Sequence, residues 1–477
     1  MITRLKVSGF KNLVNVDIHL NAFTCVAGTN AVGKSNLFDA IRFLSNLSHQ
    51  KIIEAAKSVR SENQKASEIR DIFFKSGDDY YDTISFSVEM IIPNEAIDEL
   101  GEKAKAAITT VKYDLILKYL KEEDDDERII IVKEELKPIT QTEAKSNLYF
   151  LNSIKWKKSV IEGRRPTDLI STENSKIRIH QDGQKGKPYD RIASQLPRTV
   201  LSTANAEYPT ACVVQQEMKS WMFLQLEPSA MRKSDELDKR KNATLEENGA
   251  NMPATIFRLQ SANPNKDIYQ QLSNRLTELI DNVERITIDK DEKRTLLTLL
   301  LKFKNSAELP ARSLSDGTLR FLALAILEID DQSGTVICLE EPENGIHPSK
   351  IKEIIKLLQD IACDTNIEVD NDNQNRQVII NTHSPIVVEE VPEGSLLMAD
   401  AIEIFDDDKQ KKIKTITFNP LSNTWRMKIP QNNYKSISKG NLKAYLEMDK
   451  TEIEYENKTI ERKVKHRDEL NQESLFE

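Results

Sequence analysis

The sequence predicts an α/β fold, and three observations support it. A short apolar strand at 23–27 leads directly into a loop with two glycines, and the segment after the loop carries apolar residues at helical spacing. A second apolar strand, at 335–340, ends in two adjacent carboxylates and lies between predicted helices at 317–329 and 348–362. Strands of alternating polarity favour an additional antiparallel β subdomain, at 81–92, 111–120 and 128–134.

The composition describes a chain that can bury a large core. Of its 477 residues 39% are apolar, which suits roughly two to four domain-sized units. We expect no membrane span, and the first ten residues have the pattern of a strand rather than of a signal peptide. A net charge of −9 excludes a globally basic nucleic-acid binder. The cysteines lack disulfide or metal spacing, which fits a cytoplasmic protein: Cys25, Cys212, Cys338 and Cys363.

Changes in pattern along the chain divide it into five predicted segments. Helical and strand patterns at 266–282, 284–289 and 295–303 predict a helical insertion. No heptad pattern persists for several turns, so we expect no long coiled-coil arm. The segments are an N-terminal lobe at 1–92, a β-rich and irregular insertion at 93–204, a joining segment of helices and strands at 205–310, a C-terminal lobe at 311–425, and a charged tail at 426–477.

The loop after the first apolar strand matches the Walker A pattern of a P-loop, Gly28-Thr29-Asn30-Ala31-Val32-Gly33-Lys34-Ser35. Glycines let the backbone wrap closely around phosphates, and the start of the following helix favours an anion. In such a loop Lys34 reaches the β- and γ-phosphates and Ser35 holds Mg²⁺. The alternative is a chance glycine-rich turn. The candidate nucleotide-binding residues are Gly28, Asn30, Gly33, Lys34, Ser35 and Asn36.

The second apolar strand is typical of a Walker B element, Val336-Ile337-Cys338-Leu339-Glu340-Glu341-Pro342. Successive residues on a strand point to opposite faces, so two adjacent acids at its end can serve different tasks. Glu340 is the candidate ligand of Mg²⁺ through its water shell. Glu341 is the candidate base that orients and deprotonates the attacking water. The alternative is a strand end that simply meets solvent.

Two further motifs flank the acid pair along the chain. Ser315 and Gly317 stand where a helix begins, shortly before the acid pair, and backbone N–H groups at a helix start bind phosphate. They are therefore candidate nucleotide-binding residues, although Ser315 could be an ordinary N-cap. His383 follows an apolar strand at 377–381 and could contact a γ-phosphate as a switch residue. A lone histidine is more often structural, and that alternative stays open.

The four motifs together resemble the ABC-type ATPases of the RecF, SMC and OLD group, over roughly 1–90 and 205–400. Three sequence segments carry the resemblance: Leu-Ser-Asp-Gly-Thr, Leu-Glu-Glu-Pro-Glu-Asn-Gly-Ile-His-Pro and Asn-Thr-His-Ser-Pro. The resemblance implies a P-loop NTPase head of the ABC type with an antiparallel β subdomain and a helical insertion. ATP and Mg²⁺ are the implied cofactors. It also implies a head-to-tail dimer or higher homo-oligomer, in which Ser315 completes a partner's nucleotide site and Asn344 and Gly345 line the interface.

Within this group the chain is similar to the PtuA-like ATPases of Septu and retron antiphage systems, through its Walker B block and the segment from Trp221 to Arg232. That similarity implies an ATP-hydrolysing subunit that regulates a partner nuclease. The implied partners are a second copy of the chain, an HNH nuclease subunit, and DNA or RNA. Two alternatives stay open: a RecF- or SMC-like DNA-repair ATPase that acts directly on DNA, and an OLD-like nuclease.

We expect no nuclease activity from the chain alone, because phosphodiester cleavage needs carboxylates or histidines clustered around a metal. The acidic run Asp406-Asp407-Asp408 lacks a matching glutamate behind an apolar strand and is interpreted as a solvated turn. Two positions depart from the family pattern. Glu340 replaces the usual aspartate, which leaves the hydrolysis rate open. No Q-loop glutamine stands out, although Gln64 lies in the expected stretch.

Two charged segments have open interpretations. A basic cluster around Trp156 could contact a phosphate backbone, although a solvated face is favoured; its members are Lys155, Lys157, Lys158, Arg164 and Arg165.

The tail mixes charge with apolar residues that either dock a nuclease subunit or pack on the head itself. Those apolar residues are Trp425, Ile429, Tyr434, Ile437, Leu442, Tyr445 and Leu446.

Overall fold

The computed structural model describes residues 1–59, 68–121, 127–150, 152–165, 167–182, 190–238, 243–406, 409–430, 434–438 and 440–447. Strands and helices are numbered in chain order. The central sheet is parallel apart from its last edge strand. Its spatial order is β14 (Met222–Leu224), β19 (Val336–Glu340), β20 (Gln377–Thr382), β3 (Phe23–Ala27), β21 (Leu396–Asp406) and β22 (Lys411–Pro420), with β22 antiparallel to β21.

The two faces of the central sheet belong to two different cores. Cys338 and Ile379 lie in a core shared with α1 (Lys34–Leu47), α5 (Pro209–Lys219) and the antiparallel sheet. Their neighbours Leu339 and Ile380 lie in a core with α9 (Asp316–Ile329), α10 (Ile351–Ile361) and α11 (Pro385–Glu390). Strands covered on both faces are continuous apolar runs, which is why the sequence predicts β3, β19 and β20 correctly.

The carboxyl ends of three strands meet at one edge of this sheet. The register places Thr382 beside Ala27, and Asn381 beside both Val26 and Glu340. The Walker A loop, the acid pair and the histidine motif therefore leave the sheet at the same edge. In open α/β sheets this is the edge where ligands bind.

The antiparallel subdomain is one sheet. Its order is β13 (Arg191–Ile192), β12 (Lys176–Ile179), β11 (Ile170–Glu173), β10 (Glu127–Pro138), β9 (Thr110–Lys121), β6 (Thr83–Ile91), β1 (Ile2–Ser8) and β2 (Val16–His19). Because β6 and β9 are paired, the boundary expected at residue 92 falls inside this sheet. Phe10 lies 5.7 Å from Phe43 between ring centroids, which anchors α1 on the sheet. The predicted hairpin of β9 and β10 is confirmed, while its acidic tip at 122–126 lies outside the described residues.

The helical insertion lies between β14 and α9. It consists of α6 (Pro228–Met231), α7 (Met252–Ala262), α8 (Ile268–Thr277) and a small sheet in the order β15 (Asp235–Glu236), β17 (Leu296–Phe303), β16 (Val283–Asp291), with β18 (Glu308–Pro310) beside β17. The helix predicted to reach residue 282 ends at Thr277. A buried ion pair between Arg258 and Asp330 fixes the insertion to the end of α9.

The remaining elements are short. They are α2 (Ile52–Ser58), β4 (Lys75–Ser76), β5 (Asp79–Tyr80), β7 (Glu95–Ile97), β8 (Lys103–Lys105), α3 (Gln141–Asn147) and α4 (Ile154–Val160). Over the described ranges, no helix has both the length and the apolar character needed to cross a bilayer.

The C-terminal segment packs on the head, which is one of the two alternatives that the sequence leaves open for its apolar residues. β21 pairs in parallel with β3, and β22 extends the sheet beyond it. After β22, the buried Arg426 donates to His19 O at 2.8 Å and to Gly394 O at 2.7 Å. Several apolar tail residues contact the core of α9 and α10: Trp425, Ile437, Leu442, Tyr445 and Leu446. They are therefore structural, and residues 448–477 lie outside the described part.

Candidate nucleotide-binding site

The Walker A loop has the backbone of an anion-binding turn. Gly33 has a φ of +105°, and a Cβ there would lie 2.1 Å from Asn12 Nδ2, so glycine is required by conformation and by space. Ala31 also has a left-handed backbone, with a φ of 64°. Helix α1 begins at Lys34, and no side chain caps its first turn. Its free backbone N–H groups are therefore available to phosphate oxygens.

Lys34 is folded back into this loop. Its Nζ donates to Gly28 O at 2.7 Å and to Thr29 O at 2.8 Å. Burial lowers the pKa of Lys34, while nearby carboxylates, that of Glu341 first, raise it. The two carbonyls hold the ammonium group at the place where the phosphates of a nucleotide would need it.

The second acid, Glu341, has an unusual backbone. Its φ of 47° lies in the left-handed region, which non-glycine residues seldom adopt. Asn381 stabilises this conformation, because the Glu341 N–H donates to its backbone oxygen at 2.9 Å and to its Oδ1 at 3.2 Å. Backbone strain of this kind is concentrated at functional sites. Asn381 was quoted within a sequence motif but had no predicted role.

Both carboxylate oxygens of Glu341 are engaged. His383 Nδ1 lies 3.0 Å from Oε1, and Asn344 Nδ2 donates to Oε2 at 2.8 Å. The structure therefore brings together Glu341 and His383, which are 42 residues apart in sequence. The His383 side chain is 40% exposed, so it is accessible at the carboxyl edge of the sheet.

Glu343 is a further acidic residue of the site that the sequence motifs did not assign. Its Oε1 accepts a hydrogen bond from Thr382 Oγ1 at 2.6 Å and lies 4.0 Å from His383 Nδ1. Burial raises the pKa of this carboxyl group. Its Oε2 is buried without a hydrogen-bond partner. The only sequence signal was its place within the Walker B block.

A cavity of about 810 Å³ opens at this edge of the sheet. Lys34, Ser35, Glu341 and Asn381 line one side. The other side is lined by residues that the sequence did not indicate: Lys11, Asn12, Phe74, Tyr80 and Lys414. The volume lies within the range of about 300–1,000 Å³ that is usual for small-molecule sites. Asn30, Gly33 and Asn36, which the sequence predicts to bind a nucleotide, also line the cavity.

Ser315 and Gly317 are not among the residues that line this cavity. Ser315 is the N-cap of α9, and its Oγ accepts from Thr318 N at 3.2 Å. A Cβ on Gly317 would lie 2.8 Å from Gly345 O, so the start of α9 packs against the loop that follows the acid pair. Within this signature motif at 313–318, Ser315 is exposed at the start of α9, whereas Gly317 is buried.

A glutamine reaches the same sheet edge from β14. The register pairs Leu224 with Leu339, so Gln225 follows its strand beside Glu340. The sequence did not indicate this position because β14 is only three residues long, and Gln225 is not among the residues that line the Walker A cavity. Gln64, the residue considered from the sequence, lies outside the described residues.

The donor set suits Mg²⁺ rather than a metal held by a protein cage. Among the described residues, no group of three or more His, Cys, Asp or Glu could hold a metal ion. Mg²⁺ keeps several waters and usually takes only one or two protein ligands together with phosphate oxygens. Ser35 and Glu340 would supply those ligands. The unpartnered Oε2 of Glu343 fits an acceptor for a metal-bound water.

The predicted basic cluster does not form an aromatic nucleic-acid platform. Trp156 is fully buried, and its Nε1 donates to Cys363 Sγ at 3.2 Å. Arg165 is also buried and is paired with Asp182 at 2.9 Å. For the acidic run at 406–408, only Asp406 lies within the described residues.

The central sheet and the loop at 28–35 define a protein with the α/β fold of a P-loop NTPase. The chain matches the family model described as "AAA domain, putative AbiEii toxin, Type IV TA system" over residues 23–160 and 217–389, more than half of its length. It therefore belongs to this family. No curated protein matches the chain.

Solved structures of SMC heads are similar at low identity. One is an SMC head bound to the C-winged helix domain of ScpA, with 15% identity and a TM-score of 0.48, covering 88% of this chain and 98% of that one. Another, derived from Pyrococcus furiosus, has an extended coiled coil and is bound to the C-terminal domain of ScpA, with 12% identity, a TM-score of 0.42, and coverage of 88% and 96%. The SMC head domain from Thermotoga maritima has 12% identity and a TM-score of 0.36, covering 88% and 99%.

Proposed function

We propose that this chain binds ATP with Mg²⁺ in the Walker A cavity and hydrolyses it with Glu341 as the base. The observation that carries the proposal is the contact of Glu341 with His383 beside a loop that presents Lys34. Lys34 exchanges the carbonyls of Gly28 and Thr29 for phosphate oxygens. Ser35 and Glu340 would hold Mg²⁺, which would supply positive charge beside the phosphates.

The residues around Glu341 orient its carboxylate. His383 and Asn344 each donate to one of its oxygens, so the group is fixed before a water molecule is deprotonated. The proton passes from the attacking water to Glu341, and the water oxygen forms the new bond to the γ-phosphorus as the bond to ADP breaks. His383 can exchange Glu341 for an oxygen of the γ-phosphate, which would make the histidine a sensor of bound ATP.

Two copies of the chain form the complete site in this proposal. Ser315 is exposed at the N-terminus of a 14-residue helix and does not line the cavity of its own chain. A helix start of this kind favours a phosphate. A head-to-tail dimer places Ser315 and Gly317 of each copy against the γ-phosphate held by the other.

At the level of the cell, we propose an ATPase subunit of a bacterial antiphage complex that regulates a partner HNH nuclease. Support comes from the motif resemblance to PtuA-like ATPases and from the family description, which names a toxin of a type IV system. The nuclease is a separate subunit in this proposal, and the trigger is a nucleic acid or nucleotide that appears on infection.

A phage challenge tests this role. Cells that carry the chain and its neighbouring gene should resist infection, and Lys34→Ala should abolish resistance, because the phosphate-binding ammonium group is lost. Lys51→Ala is the matched control, since that side chain is 55% exposed and lies outside the cavity. Resistance that survives Lys34→Ala, or a chain that binds DNA ends without any nuclease partner, would favour a DNA-repair ATPase instead. Metal-dependent DNA cleavage by the purified chain would favour an OLD-like nuclease.

A further inference from the structure

Arg232, which has no role in the sequence motifs, holds the signature loop at 314–316. Arg232 Nη2 donates to Leu314 O at 3.0 Å and forms an ion pair with the carboxylate of Asp316. Leu314 and Asp316 flank Ser315 directly. We propose that Arg232 is a positioning residue that sets Ser315 for the nucleotide held by a second copy of the chain. The inference rests on the proposed head-to-tail site.

The segment that carries Arg232 begins at the nucleotide edge of its own chain. Gln225 follows β14 beside Glu340, and Arg232 stands seven residues later. Backbone hydrogen bonds fix the path between them, from Gln225 N to Glu247 O at 2.8 Å and from Glu227 N to Asn248 O at 2.9 Å. One short segment therefore touches the carboxyl edge of the sheet at one end and the signature loop at the other.

A second segment from the same edge also contacts the start of α9. Gly345 stands four residues after Glu341, and its backbone oxygen lies 2.8 Å from the place where a Cβ on Gly317 would be. Arg232 and Gly345 thus connect the start of α9 to two segments that leave neighbouring strands, β14 and β19. The position of Ser315 consequently follows the geometry of the nucleotide edge in its own chain.

The partial exposure of this ion pair indicates that it positions the signature loop and does not stabilise the fold as a whole. The side chain of Arg232 is 31% exposed and that of Asp316 is 48% exposed. Ion pairs with this exposure contribute little to stability. Removing the pair should leave the fold intact and move only the signature loop. A misplacement of about 1 Å at a reacting centre can lower a rate by about 10²-fold.

An arginine that itself touches the partner's nucleotide is the competing role, and Asp316→Asn separates the two. If Arg232 acts through the signature loop, Asp316→Asn should lower kcat as Arg232→Ala does, by about 10- to 100-fold, with the Kd for ATP unchanged in both. The kcat of Arg232→Lys should fall between those of the wild type and Arg232→Ala, because one ammonium group cannot reproduce the forked geometry of a guanidinium. Full activity of Asp316→Asn beside an inactive Arg232→Ala would overturn the proposal.

Mixed subunits give the decisive measurement. Arg232→Ala chains mixed with Lys34→Ala chains should regain ATPase activity, because one composite site then combines an intact Walker A loop with an undisturbed signature. Arg232→Ala mixed with Ser315→Arg should stay inactive, since both signatures are impaired. Lys233→Ala is the matched control for Arg232→Ala and should hydrolyse ATP normally.

The mixtures also separate the inference from the function on which it rests. Recovery in the mixture of Ser315→Arg with Lys34→Ala, but none in the mixture of Arg232→Ala with Lys34→Ala, would place Arg232 at its own chain's nucleotide and overturn the inference alone. No recovery in either mixture, with subunit exchange demonstrated, would remove the shared site and the inference together.

Discussion

His383 Nδ1 lies 3.0 Å from Glu341 Oε1, so the candidate switch residue contacts the candidate base directly. The two residues stand in loops that follow the adjacent strands β19 and β20. The strained backbone of Glu341 and its hydrogen bond from Asn344 hold the carboxylate in the same place. The carboxylate of the candidate base is therefore oriented by the fold before a nucleotide binds.

Replacing His383 with alanine should slow hydrolysis while leaving ATP binding nearly unchanged. The carboxylate of Glu341 loses one of its two orienting donors, and loss of orientation at a general base costs on the order of 10- to 100-fold in kcat. Steady-state kinetics would show this as a fall in kcat at a similar KM. His180→Ala, in the antiparallel subdomain, is the control. A changed KM with normal kcat would contradict this, because His383 would then contribute to ATP binding and not to the orientation of Glu341.

Replacing Ser315 with arginine should abolish hydrolysis without loss of ATP binding by the single chain. The bulky cation blocks the site of the partner copy, whereas the Walker A cavity of the same chain does not contain Ser315. ATPase assays on mixtures with Lys34→Ala should show partial recovery, at one of two composite sites. If exchange of subunits is verified and activity stays absent, the signature does not act in trans.

Glu134 should make stability depend on pH. Its fully buried carboxylate accepts from Val200 N and Leu201 N, yet burial raises its pKa to about 7. Because the folded-state pKa lies above the unfolded value, this stabilising contribution is complete below about pH 4.5 and is lost as the pH rises to about 7. The shift corresponds to on the order of 3 kcal/mol.

Glu134→Gln isolates this contribution, since the amide does not titrate. Unfolding midpoints measured for both proteins between pH 4.5 and 8 should converge or cross as the pH rises, with the wild type losing stability relative to the variant. Two profiles that remain parallel over this interval would show that Glu134 keeps an ordinary pKa in the folded chain.

Arg426→Ala should destabilise the head by about 2–4 kcal/mol, because it leaves buried carbonyls of His19 and Gly394 without their charged donor. Denaturant unfolding measures the change. Arg294→Ala is the control, because that side chain is 80% exposed. An unchanged midpoint for Arg426→Ala would revive the idea that the segment after residue 425 is a detachable docking element.

The motif-bearing elements were predictable from the sequence because their signals are local. Consecutive residues are enough to predict an apolar strand, a loop of fixed spacing or the start of a helix, as at Gly28 to Ser35. The contact of Glu341 with His383 was predictable only in part. The order of the motifs implied that both residues lie at the same edge of the sheet, but it did not imply a hydrogen bond between them.

The features that the sequence did not show depend on distant partners. Gln225 becomes a site candidate only through its register beside Glu340, from a strand of three residues. The packing of the tail was not visible locally because one acceptor of Arg426, His19 O, lies 407 residues earlier in the chain. Trp156 looked like a nucleic-acid contact because its burial against Cys363 is invisible in a local charge pattern.

Single-turnover ATP hydrolysis by Glu341→Gln is the most direct test of Glu341 as the base. The variant should bind ATP as the wild type does and hydrolyse it about 10²–10⁴-fold more slowly, because the amide cannot take the proton of the attacking water. Lys34→Ala should lose affinity instead, and Glu292→Gln, with a side chain 74% exposed, should behave as the wild type. Hydrolysis by Glu341→Gln at the wild-type rate would contradict the account, and the base would then have to be Glu340 or another acid.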